Sequence, residues 1–300
     1  MSVTEQTGRL YFHQNSSYVT VTHSLKKNRQ MCLGMVTFQA QGSNTLLRTN
    51  FRHRHMKDAS SRLLPGNRLL SALPEPELAR LRPHLQVKNL EFRTLLANPG
   101  EAIKYCYFPI TGMISLLSVT ERGETIEVGY VGREGVAGLA AVLQGKEAIY
   151  QMLVQANTEC FVAEAQVIQE MFESNKVFHD LLLRYVYALL RQMSQTCLCN
   201  HFHTIEARLC RWLTVMCERS NNNRLTLTQE FLSHMLGVQR TSIGMIANTM
   251  QTKGLIRYSR GKIEVIDLAS VRESACECYR IVNAEYDSLY RNGNNTRQVH

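Results

Sequence analysis

Cys197, Cys199, His201 and His203 occupy every second position of one short segment. On an extended strand they would share a face, and two thiolates with two imidazoles make a zinc-type donor set. On a helix each step of two residues turns the side chain by about 200°, so the four cannot converge. The segment lies at the end of a long helical pattern, so the sequence predicts no metal site and leaves thiol oxidation at Cys197 or Cys199 as the alternative. Cys276 and Cys278 fall on a C-terminal helical pattern that turns them apart, and inert thiols are expected there. No nucleophile is spaced with a base, and no glycine-rich loop could cradle a phosphate. The expectation is a chain with no catalytic residues, no cofactor and no enzymatic activity.

A second set of residues suits contact with nucleic acid. Thr228 is placed to cap a helix that buries Leu232, Met235 and Leu236, and Gly237 supplies a left-handed turn. A further helix follows over 240–253, with Ile243, Ile246, Ala247 and Met250 inward and Arg240, Thr241, Gly244, Met245 and Asn248 outward. Two short helices around a tight turn, the second with small and polar groups outward, suit a groove about 12 Å wide. A hairpin around Ser259-Arg260-Gly261 forms a wing whose Arg257, Arg260 and Lys262 can neutralise phosphates. The candidate DNA-contacting residues are Thr228, Gln229, Gln239, Arg240, Thr241, Ser242, Met245, Arg257, Arg260 and Lys262.

The distribution of charge agrees. The 300-residue chain carries a net charge of +9. Residues 204–266 hold nine Lys/Arg against four Asp/Glu, and residues 1–66 hold nine against two. Between them, 67–203 are near neutral, with twelve against fourteen. A compact basic segment inside a folded region is the electrostatic footprint of nucleic-acid binding. The nine cysteines form no disulfide framework, which fits reduced thiols and a cytoplasmic location. No apolar run reaches the ~18–20 residues of a membrane span, and Gly34 breaks the run Met31 to Phe38, so no secretory signal is expected.

Several elements must position these residues. Residues 1–66 show no period and read as a disordered basic extension, with one short strand near Met35 to Gln39 and an alternative start at Met56. Leu69, Leu70, Leu73, Leu78, Leu81 and Leu85 fit two short helices interrupted by Pro74 and Pro76. From Val87 to Ala163 short strands take over, most clearly 113–119 and 125–130 around Glu121-Arg122-Gly123, where Ile126, Val128 and Tyr130 alternate with Thr125, Glu127 and Gly129. A sandwich or jelly roll is implied. Residues 178–200 then read as one long helix with an a/d-type seam of Leu182, Tyr185, Leu189, Met193 and Thr196, which predicts pairing with a second copy of the chain. The helix over 205–219 buries Leu209, Trp212, Leu213 and Met216, so Trp212 is a core residue.

The order of parts over 67–270 resembles the Crp/Fnr family of bacterial transcription regulators. The match is carried by Gly129-Tyr130-Val131-Gly132-Arg133-Glu134-Gly135, by Ile205-Glu206-Ala207-Arg208-Leu209, and by Leu236-Gly237-Val238-Gln239-Arg240-Thr241-Ser242-Ile243-Gly244. The resemblance implies an α+β architecture. A β-roll sensor domain of jelly-roll, cyclic-nucleotide-binding-like form (67–177) precedes a dimerisation helix (178–203). A winged helix-turn-helix (204–270) and a C-terminal helix and tail (271–300) follow.

The resemblance also implies a homodimer on a palindromic promoter site, with RNA polymerase as a further partner of an activator. Arg240 takes the place of the family's guanine-reading arginine. Thr241 and Met245 stand where glutamate and arginine are frequent, which implies a different operator. The ribose-binding glutamate and the phosphate-binding arginine with its following Ser or Thr fall on Leu139, Tyr150 and Gln151. Lys146 is the single basic residue between Arg133 and Lys176. A buried phosphate would lack a cation, so cyclic AMP is not the expected effector, and the effector is unassigned. Cys32 alone in the N-terminal arm excludes an iron–sulfur cluster of the family's type. The competing reading is a protein-interaction adaptor with a degenerate winged helix.

Overall fold

The computed structural model describes residues 66–295 apart from 144 and 146, the side chains of 292–295 excepted, together with four two-residue strands near the N-terminus. Those strands pair as β1 (Arg9–Leu10) with β4 (Val21–Thr22) and β2 (His13–Gln14) with β3 (Ser17–Tyr18). The strand expected near Met35 to Gln39 and the alternative start at Met56 lie outside the described residues.

Asn67 opens the folded region. Its side chain accepts from the Leu70 N–H at 3.0 Å, capping α1 (Arg68–Ser71), and donates to the carbonyls of Pro109 and Gly135 at 2.9 Å each. Pro74 and Pro76 start α2 (Glu75–Leu81) rather than break it, because a helix's first turn has no partner for the missing N–H. A 3-10 turn at Arg82–His84 leads into the strands.

The strands are β5 (Gln86–Leu90), β6 (Leu95–Ala97), β7 (Tyr105–Pro109), β8 (Ile114–Val119) and β9 (Thr125–Val131), followed after α3 (Leu139–Val142) by β10 (Gln151–Val154) and β11 (Thr158–Glu164). They form two antiparallel sheets, ordered β6-β10-β8-β9 and β5-β11-β7, which is the expected β-roll. The four-stranded sheet is covered on both faces. Ile114, Leu116, Val131 and Met152 enter the core beneath the long helix, while Met113, Leu117 and Tyr130 enter a second core shared with the C-terminal helices. That double cover corrects the simple alternation expected in β9. A bulge between Leu116 and Leu117 shifts the register, and Glu127 is buried where a half-exposed strand would leave it in water.

Two helices lead away from the roll, α4 (Ala165–Ser174) and the 27-residue α5 (Lys176–Phe202). Gly135 lies directly under Tyr185 of α5, where a Cβ would come within 2.1 Å of the ring hydroxyl. Then come α6 (Ile205–Ser220), β12 (Arg224–Thr226), α7 (Gln229–Leu236), α8 (Arg240–Thr252), β13 (Ile256–Ser259), β14 (Lys262–Val265), α9 (Leu268–Glu273) and α10 (Cys278–Asn295). The wing has a third strand beyond the expected hairpin, β12, paired with β14. Trp212 is fully buried, as expected of a core residue. None of the described helices is long and apolar enough to cross a membrane.

Candidate nucleic-acid interface

The turn between α7 and α8 fixes the geometry of the recognition surface. Thr228 accepts from the Phe231 N–H at 3.1 Å and starts α7; Gly237 ends it in the left-handed region at φ 60°. A side chain there would be strained, and its Cβ would lie 2.6 Å from Cδ1 of Ile126 in β9. The Arg208 guanidinium, itself buried, donates to the Leu236 carbonyl and at 2.8 Å to Asn200 Oδ1, so α6 supplies a cap for the end of α7. Ile243, Ala247 and Met250 hold α8 in the core, which turns its other face outward: Arg240, Thr241, Asn248 and Thr249 are exposed, and Met245 is 66% exposed.

The wing adds cations at one end of this surface. Arg260 and Gly261 both have positive φ, 47° and 74°, forming the tight turn between β13 and β14. Arg260, Lys262 and Arg240 are exposed and form no ion pair among the described residues. Arg257 differs: it pairs with Glu264 at 2.9 Å, and Arg224 binds the same carboxylate at 2.9 Å. The hydrogen bond from Arg224, with both positive charges, holds the Glu264 carboxyl below its usual range. Of the three expected wing cations, two therefore stand free and one is partly neutralised. Thr228 caps the start of α7 and lies against Gly261 of the wing, Gln239 and Ser242 stand at the start of α8, and the Gln229 side chain lies against Gly244.

The expected seam on α5 is corrected. Leu182, Tyr185, Leu189 and Thr196 are buried inside this chain and Met193 is half-buried, packed against the roll and against α10 through Val282, Tyr286 and Leu289. Exposed instead are Leu183, Tyr187 (61%), Leu190 (59%) and Leu198, with Phe202 at the helix end. Leu183, Tyr187 and Leu190 recur at steps of four and three, the spacing of a helix–helix seam. Because α5 is apolar on two sides, its sequence period could not say which side faces the roll.

Between α5, α3 and the four-stranded sheet lies a cavity of about 220 Å³, lined by Leu116, Leu139, Tyr150, Met152, Val186 and Met193 among others. Its described lining contains no charged side chain. Leu139 and Tyr150, which the resemblance aligns with the nucleotide-binding glutamate and arginine, both line it. Gln151 instead donates to Asn98 Oδ1 at 3.1 Å.

The alternating Cys/His segment falls on the end of α5 and does not converge as a set: Cys197 and His201 are exposed, while Cys199 and His203 turn to the same side. Cys276 and Cys278, expected to be inert and turned apart, join them, because α9 ends at Glu273 and the chain turns between the two helices. The four ligand atoms lie within 4.8 Å of one another. A hydrogen bond from Cys276 pulls the Cys199 thiol below its usual range. Desolvation pushes the isolated Cys106, Cys160 and Cys217 thiols up to about 12.

Comparison with known proteins adds to this geometry. Residues 207–274 match the model of the Crp-like helix-turn-helix domain, and residues 87–175 that of the cyclic nucleotide-binding domain. The cAMP-activated global transcriptional regulator Vfr of Pseudomonas aeruginosa is 20% identical over 199 residues, covering 63% of this chain and 92% of its own length. The CRP-like protein Clp of Xanthomonas campestris pv. campestris is 21% identical over 204 residues, covering 63% and 87%. Among solved structures, FixK2 from Bradyrhizobium japonicum superposes with a TM-score of 0.54 at 13% identity, covering 64% of this chain and 98% of its own. A CRP/FNR-family regulator from Thermus thermophilus gives 0.53 at 19%, covering 63% and 98%.

Proposed function

The chain belongs to the Crp/Fnr family of DNA-binding transcription regulators, and we propose that it acts as a homodimer, placing one α8 helix in each half of a two-fold symmetric promoter site. The observation that carries this reading is the exposed outer face of α8, with Arg240 at its start and Arg260 and Lys262 on the adjoining wing in no ion pair among the described residues. Arg240 donates two hydrogen bonds to a guanine edge, Thr241 and Ser242 reach neighbouring groups, and Met245 offers a thymine methyl an apolar contact. Thr228, Gln229, Gln239, Arg260 and Lys262 contact the backbone, which sets register without reading sequence. Arg257 contributes less, since Glu264 competes for it.

The dimer forms through the exposed stripe Leu183–Tyr187–Leu190–Leu198, because an apolar seam of this length costs free energy in water until a second copy covers it. The effector of the relative Vfr is cAMP by its name, whereas the described lining of the cavity here offers no cation to a phosphate. The cavity therefore takes a small apolar molecule or acts as a fixed packing defect. Either way it bears on α5, through Val186, Leu189 and Met193. If the protein activates transcription, RNA polymerase is a further partner.

Selection of bound sequences from random duplex DNA tests the proposal. A palindrome with half-sites about one helical turn apart is expected. Arg240→Ala costs ~1–3 kcal/mol on that site and relaxes one base position, while Lys262→Ala weakens all DNA alike and lowers the salt slope by about one. Leu190→Asp leaves the fold intact and shifts the chain to monomer in sedimentation. No enrichment, with or without cell extract, would overturn this reading in favour of the adaptor.

A further inference from the structure

The convergence of Cys199, His203, Cys276 and Cys278 serves neither the DNA-facing surface nor the apolar cavity. We propose that these four side chains form a closed, tetrahedral site for a zinc-class divalent ion, which clamps the end of α5 and the α5–α6 link to the start of α10.

The donor spacing is that of a built site. Cys199 and His203 are one helical turn apart, at the last turn and C-cap of α5. Cys276 and Cys278 flank a single residue, Glu277, just before and at the start of α10. Cys199 Sγ lies 3.4 Å from Cys276 Sγ, and Cys278 Sγ lies 3.4 Å from His203 Nδ1. Zinc–sulfur bonds of about 2.3 Å in a tetrahedron put ligand atoms about 3.5–3.8 Å apart. The observed range, from 3.4 Å to the 4.8 Å limit, brackets that edge. Cys199, Cys276 and Cys278 are buried, and His203 is the one partly open member, so the site has no room for a substrate and fits a structural ion.

The surroundings carry the argument past proximity. His203 presents Nδ1 to the cluster while its Nε2 lies 3.1 Å from Glu277 Oε1. A ligating imidazole is ordinarily oriented by such a carboxylate on its far nitrogen. Gln195 donates to Cys278 Sγ at 3.2 Å, a hydrogen bond that favours thiolate. Three thiolates and one imidazole around a dication leave one negative charge. Arg211, 5% exposed and in no ion pair among the described residues, sits near Cys199 and Cys276, where that charge would compensate it. A Cys199–Cys276 disulfide would leave Cys278 and the His203–Glu277 pair without a role.

The test uses the full chain, purified under reducing conditions, with metal content measured directly and Co²⁺ as the spectroscopic probe. About one zinc per chain is expected, together with thiolate-to-cobalt charge transfer and tetrahedral ligand-field bands after exchange. Cys276→Ser and Cys278→Ser abolish binding, while Cys197→Ser, two positions away and exposed, retains it. Glu277→Gln weakens Zn²⁺ affinity by about 10–100-fold with every thiol kept, as expected when an orienting carboxylate is lost. If a serine variant fails to fold, the Co²⁺ spectrum of the unmodified chain and the Glu277→Gln titration still decide. Two results would overturn the proposal: a chain that takes up neither Zn²⁺ nor Co²⁺ with its thiols reduced, or a Cys199–Cys276 disulfide in protein isolated without reductant.

Discussion

The two faces of the four-stranded sheet are both buried, yet one is apolar throughout and the other sets polar groups among Met113 and Leu117. Toward α5 the face is Ile114, Leu116, Val131 and Met152, and beyond it lies a cavity with apolar walls. Toward the DNA-binding helices the same strands present Ser115, Glu127 and Tyr130, and Gln155 just past β10 donates to Met235 Sδ of α7 at 2.7 Å. Ser115 donates a hydrogen bond to Glu127, and Arg219 of α6 reaches Glu134 at 3.1 Å while lying 5.1 Å above the Tyr130 ring. One face can be shaped by volume alone, whereas the other holds its neighbour by directed contacts that tolerate little displacement. A change of shape in the cavity thus needs to cross only one layer of strands to reach the helix-turn-helix.

The sharpest way to break this contrast is at the polar face. Arg219→Ala leaves Glu134, 2% exposed, without its partner, and should cost about 3–5 kcal/mol in chemical denaturation. A loss under about 1 kcal/mol would show that the ion pair does not hold the domains together. Glu127 supplies the next effect. Burial pushes its carboxyl up to about 7, against the opposing hydrogen bond from Ser115 and the charge of Arg211. The folded chain then keeps a proton that the unfolded chain releases near its ordinary pKa of 4.5. Stability from this group is therefore full at low pH and falls by on the order of 3 kcal/mol as pH rises from about 4.5 to about 7. Glu127→Gln should abolish that slope and be the more stable form at pH 8; parallel pH profiles for the two proteins would refute the assignment.

The apolar face responds differently. Leu116→Ala should cost only ~2–3 kcal/mol, the low end for a buried leucine, because the residue already borders empty volume. Its effect should not vary with pH, and a pH-dependent cost would mean the two faces are electrostatically coupled. The smallest expected effect comes from cyclic AMP, which should change DNA affinity by less than about twofold, since the described walls of the cavity offer a phosphate no cation. A tenfold tightening in a fluorescence titration would break the contrast outright.

Much of this was legible in the chain. Gly237 between two apolar-faced helices, Ser259-Arg260-Gly261 between two short strands, and the alternation around Glu121-Arg122-Gly123 are local signals, and each element formed where its pattern placed it. Arg240, Thr241 and Met245 were readable as outward because the opposite face of the same helix is apolar. The lack of an arginine for a phosphate needed only the composition of 134–175. By itself, then, the sequence determined element types, their order, the α+β class and the exposed face of the recognition helix, all of which depend on neighbours within a few residues.

The tertiary structure decided which of two apolar sides of α5 meets the roll, burying Leu182, Tyr185 and Leu189 and leaving Leu183, Tyr187 and Leu190 exposed. It decided that Glu127 is buried, because a whole domain covers the strand's second face. It also brought Cys276 and Cys278, more than 70 residues along the chain, against Cys199 and His203. In each case the deciding contact joins elements far apart in sequence, and a helical or strand period carries no term for what packs against it.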